Sequence, residues 1–434
     1  MTVNQSIKPI TLIRNKGLKL GECDLENLAK EYGTPLYVID ETTLRQTCRE
    51  YKKAFENQHN INLMYASKAL CNLAISRIID EEGFGFDVVS SGEIYTVYKA
   101  GVDMSKVLFN GNNKTTKEIE IAMDLGVRRF SIDNFNEIEL LQQITKEKNI
   151  TINVLLRITP GIECHTHDYI KTGQIDSKFG FDMNQIDSAI SLLKASGTNL
   201  ILKGLHAHIG SQIFELVSYR DEIVVLIEEL ERINKKHNIK LTELNIGGGL
   251  GVKYVETDRP PSIYDYANTI NEALNNYSKE LTIYLEPGRS IISTSGVTLY
   301  TIGSSKLTAE GKKYVAIDGG MSDNPRPSMY GAEYTVEKVQ DYDEDFEQVT
   351  IAGRFCESGD ILVENVNLPK LRNGDILCVY NTGAYNYSMS SNYNRVEKPA
   401  MVLVNSSQSD IIVSRESLDD LIARENIPDR LRKL

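Results

Sequence analysis

This chain lacks paired cysteines, membrane-spanning runs and a targeting signal. It has 434 residues but only 6 cysteines, none of them in a C-x-x-C pair. Their spacing resembles no disulfide framework, which indicates a reducing environment. The N-terminal segment 1–17 has no apolar core of a signal peptide, and no apolar run approaches the ~20 residues that cross a bilayer. We therefore expect a cytoplasmic protein without a membrane partner.

An excess of positive charge is also missing. The chain has 60 acidic and 48 basic residues, and its formal net charge is -12. Nucleic-acid phosphates would be repelled over most of such a surface, so we expect no nucleic-acid partner. The balance does not exclude a small anionic substrate, because one local pocket can differ in sign from the whole surface. A chain of this length can also bury a sizeable core without disulfides or metals.

Short apolar runs alternate with amphipathic, helix-like stretches from about Leu36 to Gly288. Strict alternation predicts a parallel sheet. Repetition of this length favours a closed (β/α)8 barrel of the TIM type, with an open doubly wound sheet as the alternative. Nine strand-like runs are present where eight are needed, so the first may belong to a neighbouring sheet. The runs are 36–40, 61–67, 85–90, 106–111, 129–133, 152–158, 202–210, 243–249 and 281–288.

The pattern changes after about residue 290. The runs there are short, β-rich and separated by turn residues, which predicts a mostly antiparallel β domain. Helical periodicity returns only in the segment 416–434. Strand-like pieces in the first 35 residues are candidates to pair with this domain. The predicted organisation is therefore α/β, with a barrel over 36–290 and a β domain with a C-terminal helix formed by 1–35 and 291–434.

Lys68 is an unusual residue at the end of an apolar strand, where a barrel of this type carries its reactive groups. Burial there would lower the pKa of its amine and make it nucleophilic, as a Schiff-base lysine requires. Taken alone, a lysine whose charged end reaches solvent from the strand end is the commoner explanation.

Two groups of residues have the composition of metal ligands. His206 and His208 alternate along one strand and share a face, so the pair could bind a metal. No companion cluster ends the other strands, and a core or stacking role is commoner. The second group lies in a polar stretch without a fourth ligand and consists of Cys164, His165 and His167. We interpret it as loop structure and expect no metal.

A glycine cluster closes the run 243–249 and consists of Gly247, Gly248, Gly249 and Gly251. Glycines let backbone N–H groups approach a phosphate closely. The cluster lacks the Walker lysine and the full dinucleotide spacing, so it indicates simple phosphate binding, with a plain turn as an equal alternative.

Glu286 and Arg289 end the run 281–288. The carboxylate could pair with a cationic ring nitrogen and the guanidinium could hold an anion, although a surface salt bridge would give the same pattern. A buried lysine, a phosphate-binding turn and a carboxylate for a pyridinium together describe a pyridoxal phosphate site.

Two residues of the β-rich part attract attention. Arg326 lies between two prolines, on a stiff loop that suits a specific contact. Cys356 is followed by Glu357 in a segment flanked by glycines. A buried structural cysteine is the commoner explanation for such a thiol.

These motifs together resemble the barrel-type pyridoxal-phosphate-dependent decarboxylases, and among them the diaminopimelate decarboxylases. The resemblance covers nearly the whole chain in order. The matching stretches are YASKA (65–69), HTHDYIKTGQIDSKFGF (165–181), HAHIGSQ (206–212), GGGLG (247–251), EPGR (286–289), DGGMSDNPRP (318–327), CESGD (356–360) and GAY (383–385). It implies decarboxylation of meso-2,6-diaminopimelate to L-lysine and carbon dioxide, the last step of lysine biosynthesis.

The resemblance also implies roles on the cofactor side. Lys68 would form the Schiff base with pyridoxal 5'-phosphate, His208 would stack on its ring, and Glu286 would pair with its ring nitrogen. Asp87 and Arg157 would help to order the pocket. The remaining expected cofactor contacts are Ser211, Gly247, Gly248, Gly249, Pro287, Gly288, Arg289 and Tyr385.

On the substrate side, the resemblance implies contacts to both ends of a small amino acid. Arg289, Arg326 and Tyr330 would bind the distal carboxylate, and Glu357 the distal amino group. Tyr385 would contact both cofactor and substrate. Cys356 would be the catalytic proton donor, placed in the partner subunit's site, which implies a homodimer with shared active sites.

Four other functions were weighed. An ornithine- or arginine-type decarboxylase of the same fold would leave Arg326 and Tyr330 without a distal carboxylate to bind. An alanine racemase of related fold uses an arginine, and not a carboxylate, at the ring nitrogen. A metal-dependent barrel hydrolase would explain the histidine pair, and a cofactor-binding protein without catalysis would explain Lys68 but not the CESGD segment.

Overall fold

The computed structural model describes residues 12–14, 17–56, 60–162, 177–195, 197, 199–275, 277, 281–342 and 345–432. They form two compact units. The first lies within Thr43–Thr294, and the second comprises the described parts of Ile10–Thr42 and Ser295–Leu434.

Strands and helices alternate through the first unit, whereas strands dominate the second. The strands are β1 (Leu12–Arg14), β2 (Leu18–Leu20), β3 (Cys23–Asp24), β4 (Leu36–Asp40), β5 (Asn60–Ala66), β6 (Gly85–Val88), β7 (Val107–Phe109), β8 (Arg129–Ile132), β9 (Ile152–Thr159), β10 (Phe181–Asp182), β11 (Leu200–His206), β12 (Glu243–Asn245), β13 (Thr282–Leu285), β14 (Gly296–Leu307), β15 (Lys313–Ile317), β16 (Val336–Lys338), β17 (Phe346–Ala352), β18 (Ile361–Pro369), β19 (Ile376–Tyr380), β20 (Ala400–Asn405) and β21 (Gln408–Val413). The helices are α1 (Leu25–Tyr32), α2 (Glu41–Phe55), α3 (Leu73–Glu81), α4 (Ser91–Lys99), α5 (Thr116–Asp124), α6 (Phe135–Lys148), α7 (Ile186–Ala195), α8 (Val217–His237), α9 (Ile263–Leu274), α10 (Arg289–Ile292), α11 (Arg326–Tyr330) and α12 (Leu418–Ile422).

The first unit is a closed barrel of eight parallel strands, as predicted. The strand order is β5-β6-β7-β8-β9-β11-β12-β13, and pairing of β13 with β5 closes the ring. The open doubly wound alternative is therefore wrong. Helices follow the strands because polar side chains cap their first turns: Ser90 caps α4, Asn134 caps α6 and Ser262 caps α9. Since all the barrel strands are parallel, their carboxyl ends meet at one rim of the barrel.

The run 36–40 is not a barrel strand. As β4 it pairs antiparallel with β14 and parallel with β20, both in the second unit. All five of its residues are buried, so a continuous apolar run did not reveal which sheet contains it. The domain range that began the barrel at residue 36 is corrected accordingly, and removing this run leaves the eight strands that the barrel requires.

The second unit contains a mostly antiparallel sheet of order β18-β17-β15-β14-β4-β20-β21. In addition, β19 pairs with β14, and β16 pairs with β19. The N-terminal strands β1, β2 and β3 form a small sheet of their own, but Leu18 and Leu20 pack into the same core as Val38 and Leu299. The expected C-terminal helix is reduced to the five residues of α12. Leu418 and Ile422 are exposed on it, and Pro428 disfavours a regular helix further along. None of the described helices combines the length and the apolarity that crossing a bilayer demands.

Candidate active site

Glu286 is the centre of a buried polar network at the carboxyl end of β13. Its Oε1 oxygen accepts hydrogen bonds from the side-chain amides of Asn245 at 2.6 Å and Asn110 at 3.1 Å. His206 Nε2 lies 3.5 Å from the other oxygen, Oε2. Burial alone would raise the pKa of Glu286, but His206 and the Asn245 amide outweigh burial and hold the pKa below its usual range. Glu286 is therefore a buried anion, and the surface salt bridge considered from the sequence is excluded.

Asp87, at the end of β6, is the second buried carboxyl group of this network. The Asn110 amide donates to its Oδ1 at 2.5 Å and so bridges the two acids. Burial raises the pKa of Asp87 to about 8, assisted by the negative charge of Glu286 and opposed by the positive charge of Lys68. The environment therefore separates the pKa values of two neighbouring carboxyl groups and leaves Glu286 as the charged one at neutral pH.

The two histidines of the H-x-H pair have different environments. His206 is buried, and its Nδ1 lies 2.7 Å from the hydroxyl of Ser131. His208 is partly buried, and its Nδ1 accepts a hydrogen bond from the backbone N–H of Gly248 at 3.3 Å. Burial lowers the pKa of both rings, so both are neutral at pH 7. Among the described residues no cluster of histidines, cysteines and acids could hold a metal ion. Cys164, His165 and His167 lie outside those residues.

Lys68 lies in a turn of 3-10 helix, Ser67–Ala69, directly after β5. Its side chain is exposed, which agrees with a lysine that reaches solvent and not with the buried lysine that the sequence also suggested. Its positive charge nevertheless opposes the raised pKa of Asp87 and helps to lower that of His208, so the amine lies within electrostatic reach of both. The backbone brings Lys68 close to Glu286 as well, because Ala66 N–H donates to the Pro287 carbonyl at 3.1 Å.

The glycine cluster after β12 packs closely against neighbouring backbone. A Cβ atom on Gly248 would lie 2.1 Å from the carbonyl oxygen of Glu286, and one on Gly249 would lie 2.4 Å from that of Gly210. Gly247 and Gly249 also have positive φ angles of 63° and 114°, which side chains disfavour. Only glycine therefore fits these positions. The N–H groups of Gly247 and Gly248 donate to Asn245 Oδ1 at 2.9 Å and to His208 Nδ1 at 3.3 Å.

Arg289 lies beside this turn at the start of α10 and is buried. Its Nη2 donates to the hydroxyl of Ser211 at 2.9 Å, and its Nη1 to the hydroxyl of Tyr254 at 2.9 Å. A buried guanidinium at this position places a positive charge beside the turn, and a planar guanidinium suits an anion such as a phosphate. Gly288 is tightly packed too, since a Cβ there would lie 2.9 Å from that of Ala66, just before Lys68.

Arg157, at the end of β9, contacts Asp133 at 3.8 Å and lies over the ring of Phe179 at 4.3 Å. Burial lowers the pKa of its guanidinium, while Asp133, Glu286 and other acids of the network oppose that shift. The expected site residues Asp87, Arg157 and Glu286 are thus electrostatically connected in one network.

These barrel residues fit pyridoxal phosphate. Ser211 and Arg289, beside the glycine turn, offer a hydroxyl and a cation to a phosphate. Glu286 offers a buried negative charge to a protonated ring nitrogen, and Lys68 offers an amine to an aldehyde. The donor set therefore matches the chemistry of each end of the cofactor.

In the second unit, Arg326 begins α11 and is buried. Its Nη1 donates to the hydroxyl of Tyr334 at 2.5 Å, and that hydroxyl lies 3.3 Å from Asn386 Oδ1. Asn386 follows Tyr385, whose φ of 63° is rare for a side chain of this size. These hydrogen bonds link Arg326 to the segment that contains Tyr385. Tyr330, at the end of α11, is half-buried.

Cys356 is exposed, not buried as its commoner explanation required, and so is Glu357. The Asp360 carboxylate fixes their segment by accepting hydrogen bonds from Phe355 N–H at 2.8 Å and Met321 N–H at 2.7 Å. Asn394 Oδ1 accepts from Cys356 N–H at 2.9 Å. The thiol therefore projects from a loop whose backbone is anchored on both sides.

Sequence reasoning missed several members of the network. Asn110 and Asn245 both follow apolar runs at the same ends as Lys68 and Glu286, and that position could have identified them. Ser131 and Asp133 at the end of β8 carried no motif. The missed residues share one feature, since each orients a side chain that the sequence did identify.

Comparisons with known proteins agree with this chemistry. A family model described as "Pyridoxal-dependent decarboxylase, pyridoxal binding domain" matches residues 41–293. The diaminopimelate decarboxylase of Synechocystis is 43% identical over 446 residues, covering 99% of this chain and 94% of the relative. A solved structure of diaminopimelate decarboxylase from M. jannaschii in complex with L-lysine has a TM-score of 0.91 at 33% identity and 99% coverage of both chains. A lysine/ornithine decarboxylase of Vibrio vulnificus, complexed with putrescine, is less similar, with a TM-score of 0.77 at 26% identity over 88% of this chain and 97% of that one.

Proposed function

The chain belongs to the diaminopimelate decarboxylases, within the pyridoxal-dependent decarboxylase family, and from this premise we propose how its residues divide the work. It converts meso-2,6-diaminopimelate to L-lysine and carbon dioxide, the last step of lysine biosynthesis, with pyridoxal 5'-phosphate as cofactor. The observation that carries the mechanism is the buried anion Glu286, held beside the strand end that bears Lys68.

When bound, pyridoxal phosphate supplies an aldehyde that captures the substrate amine and a ring that accepts the electron pair left by departing carbon dioxide. Lys68 would hold the cofactor through its amine and would give way to the amine of the substrate. Lys68 lies on the turn after β5 and its side chain is exposed. The side chain can therefore move between a position attached to the cofactor and a free position without disturbing the strand. Lys68 is therefore assigned as the anchoring amine.

Glu286 keeps a proton on the ring nitrogen. Two amide donors fix Oε1, so the carboxylate is oriented before the cofactor arrives. A charge that is oriented in advance stabilises developing charge without reorganising during the reaction. Asp87 takes up the proton that the two neighbouring acids share, which leaves the negative charge on Glu286.

The remaining barrel residues bind and orient. His208, whose ring is turned by the Gly248 N–H, is assigned to the face of the cofactor ring. Ser211, Arg289 and the glycine turn are assigned to the phosphate. Arg157 is assigned to ordering the pocket through Asp133.

The second unit is assigned to substrate recognition and proton return. Arg326 and Tyr330, with Arg289 of the barrel, are assigned to the distal carboxylate, Glu357 to the distal amine and Tyr385 to both cofactor and substrate. A buried arginine suits the distal carboxylate of diaminopimelate, and ornithine has no distal carboxylate for it to bind. The Cys356 thiol is assigned to give its proton to the α-carbon.

A panel of amino acids tests the substrate. We expect carbon dioxide release from meso-diaminopimelate to exceed that from ornithine, arginine or lysine by about 100-fold or more in kcat/KM, because a site built for a polar group rejects analogues that lack it. Comparable rates with ornithine would make the chain an ornithine-type enzyme.

We also propose a cytoplasmic homodimer, in which Cys356 and Glu357 serve the partner's site. The exposure of both residues and the free state of five described cysteines support this proposal. Lys68→Ala and Cys356→Ala are each inactive as pure dimers. Random mixing makes half of the dimers mixed, each with one intact site, so activity should return to about a quarter of the wild-type value. No recovery in verified mixed dimers would show that each chain uses its own Cys356.

A further inference from the structure

The two oxygens of Glu286 are supported unequally. Oε1 accepts two short amide hydrogen bonds, from Asn245 and Asn110. Oε2 lies 3.5 Å from the Nε2 atom of His206. His206 Nε2 is buried and has no hydrogen-bond partner among the described residues. A buried polar atom without a partner costs stability, so its retention indicates a task.

Ser131 determines which nitrogen of His206 carries the proton. Its Oγ lies 2.7 Å from Nδ1, and burial keeps the ring neutral, with a single N–H. If Nδ1 carried that proton, the Nε2 lone pair would face the negative charge of Glu286. If the serine hydroxyl donates to Nδ1, the proton is on Nε2 and points at the carboxylate. Electrostatics favours the second tautomer.

Ser131 is itself fixed by a buried ion pair. Lys114 Nζ donates to the Ser131 carbonyl at 2.7 Å, to Glu137 Oε1 at 2.6 Å and to the Gly111 carbonyl at 2.8 Å. The side chains of Lys114 and Glu137 are almost fully buried, at 1% and 3% exposed. A lysine with three short hydrogen bonds to such acceptors fixes the position of Ser131 on β8.

We propose that His206 is a positioning residue that directs its Nε2–H at Oε2 of Glu286, with Ser131 setting the tautomer. This inference rests on the proposed function, in which Glu286 pairs with the ring nitrogen of the cofactor. His206 acts through Glu286 and does not touch the reacting atoms. His206 fixes the orientation of Oε2 and favours its negative charge, as the amides of Asn245 and Asn110 do for Oε1.

The test compares two cofactors in full-length apoenzyme. Pyridoxal phosphate has the ring nitrogen, whereas 1-deazapyridoxal phosphate has carbon in its place. Dissociation constants for both are measured for wild type, His206→Gln, His206→Asn, His206→Ala and Ser131→Ala. Glutamine can place an amide N–H near the position of Nε2, and asparagine near that of Nδ1. The melting temperature of each apoenzyme reports folding.

We expect His206→Asn and His206→Ala to weaken pyridoxal phosphate binding about tenfold, the effect of one charge-assisted hydrogen bond. Binding of the deaza analogue should change by less than about twofold, because it has no ring nitrogen to pair. His206→Gln should retain most of the affinity, and Ser131→Ala should show a smaller loss confined to the nitrogen-containing cofactor.

The outcomes separate two failures. If wild type binds both cofactors equally, Glu286 does not pair with the ring nitrogen and the proposed function is wrong at that point. If wild type distinguishes them but the His206 variants lose both equally, or if glutamine and asparagine behave alike, the positioning role is refuted. The glutamine and asparagine variants keep the test decisive even if alanine fails to fold.

Discussion

Replacing Gly248 with alanine tests whether the turn after β12 binds the cofactor or merely reverses the chain. Gly248 needs no positive φ, so the added methyl group acts by its volume alone. It would lie 2.1 Å from the carbonyl oxygen of Glu286 and 2.8 Å from the carbonyl carbon. Ordinary carbon–oxygen contact needs about 3.5 Å, so the two backbones must separate by roughly 1 Å.

That separation cannot be made cheaply. Glu286 N–H donates to the Gly247 carbonyl at 2.6 Å, and Ile246 N–H to the Tyr284 carbonyl at 3.1 Å, so the two segments are hydrogen-bonded at this point. We expect the free energy of unfolding to fall by about 2–4 kcal/mol, combining overpacking with a weakened backbone bond. Pyridoxal phosphate affinity should fall more than about tenfold, because Glu286 and His208 both move.

Gly92 provides the matched control. It lies in α4, where a Cβ would meet nothing closer than Ser90 Oγ at 3.7 Å, and alanine is a better helix former than glycine. Gly92→Ala should bind the cofactor normally and unfold at an equal or higher urea concentration. The assays are urea unfolding and cofactor titration well below the melting temperature. If Gly248→Ala matched the control in both, the close approach of the turn to Glu286 would be refuted.

Three further predictions concern single side chains. Glu286→Gln should lower kcat about 100-fold at saturating cofactor, because the charge is lost and the new amide must face the donors of Asn245 or His206; an unchanged kcat would remove Glu286 from the mechanism. Arg326→Ala should raise the KM for meso-diaminopimelate about 100-fold with a smaller effect on kcat, and untouched kinetics would end its assignment to the distal carboxylate. Burial raises the pKa of Asp323 to about 7, so its stabilising contribution is complete below its unfolded pKa of about 4 and is lost as pH rises through 7. Asp323→Asn should therefore flatten the pH dependence of urea unfolding over that window, and an unchanged slope would contradict the buried, protonated state.

The barrel could be predicted because its strands are short apolar runs separated by capped helices, and that period is visible in one sequence. The errors have physical causes. The strand Leu36–Asp40 is buried on both faces. Its continuous apolar sequence predicts a buried strand but does not indicate which of the two sheets contains it. The segment 416–434 has helical periodicity but finds no core, so Leu418 stays 68% exposed and only α12 forms. Helical periodicity identifies the apolar face of a possible helix, but the helix is stable only if other residues pack against that face.

The residues with distinctive chemistry could be found from their place at strand ends, but their environments could not. Lys68 lies on a turn after the strand and is exposed, not buried as the chemistry of a Schiff-base lysine suggested. Cys356 is exposed on a loop that is anchored by the nearby Asp360 and by Asn394, which is 38 residues away in the sequence. The functional roles of these residues stay predictions, to be decided by the experiments above.

Asp87 and Glu286 are neighbouring acids, and the structure explains why only Glu286 is charged at neutral pH. Asn110 is shared between Asp87 and Glu286, but the second amide, from Asn245, goes to Glu286 alone. Each hydrogen bond to a carboxylate favours its charged form, so the acid with more donors remains the anion while burial protonates the other. The selection of Glu286 thus depends on His206 and on a neutral amide at the end of a neighbouring strand. Asn245→Ala should therefore bring the pKa values of Asp87 and Glu286 closer together. The affinity for pyridoxal phosphate should fall as a result, even though Asn245 itself carries no charge.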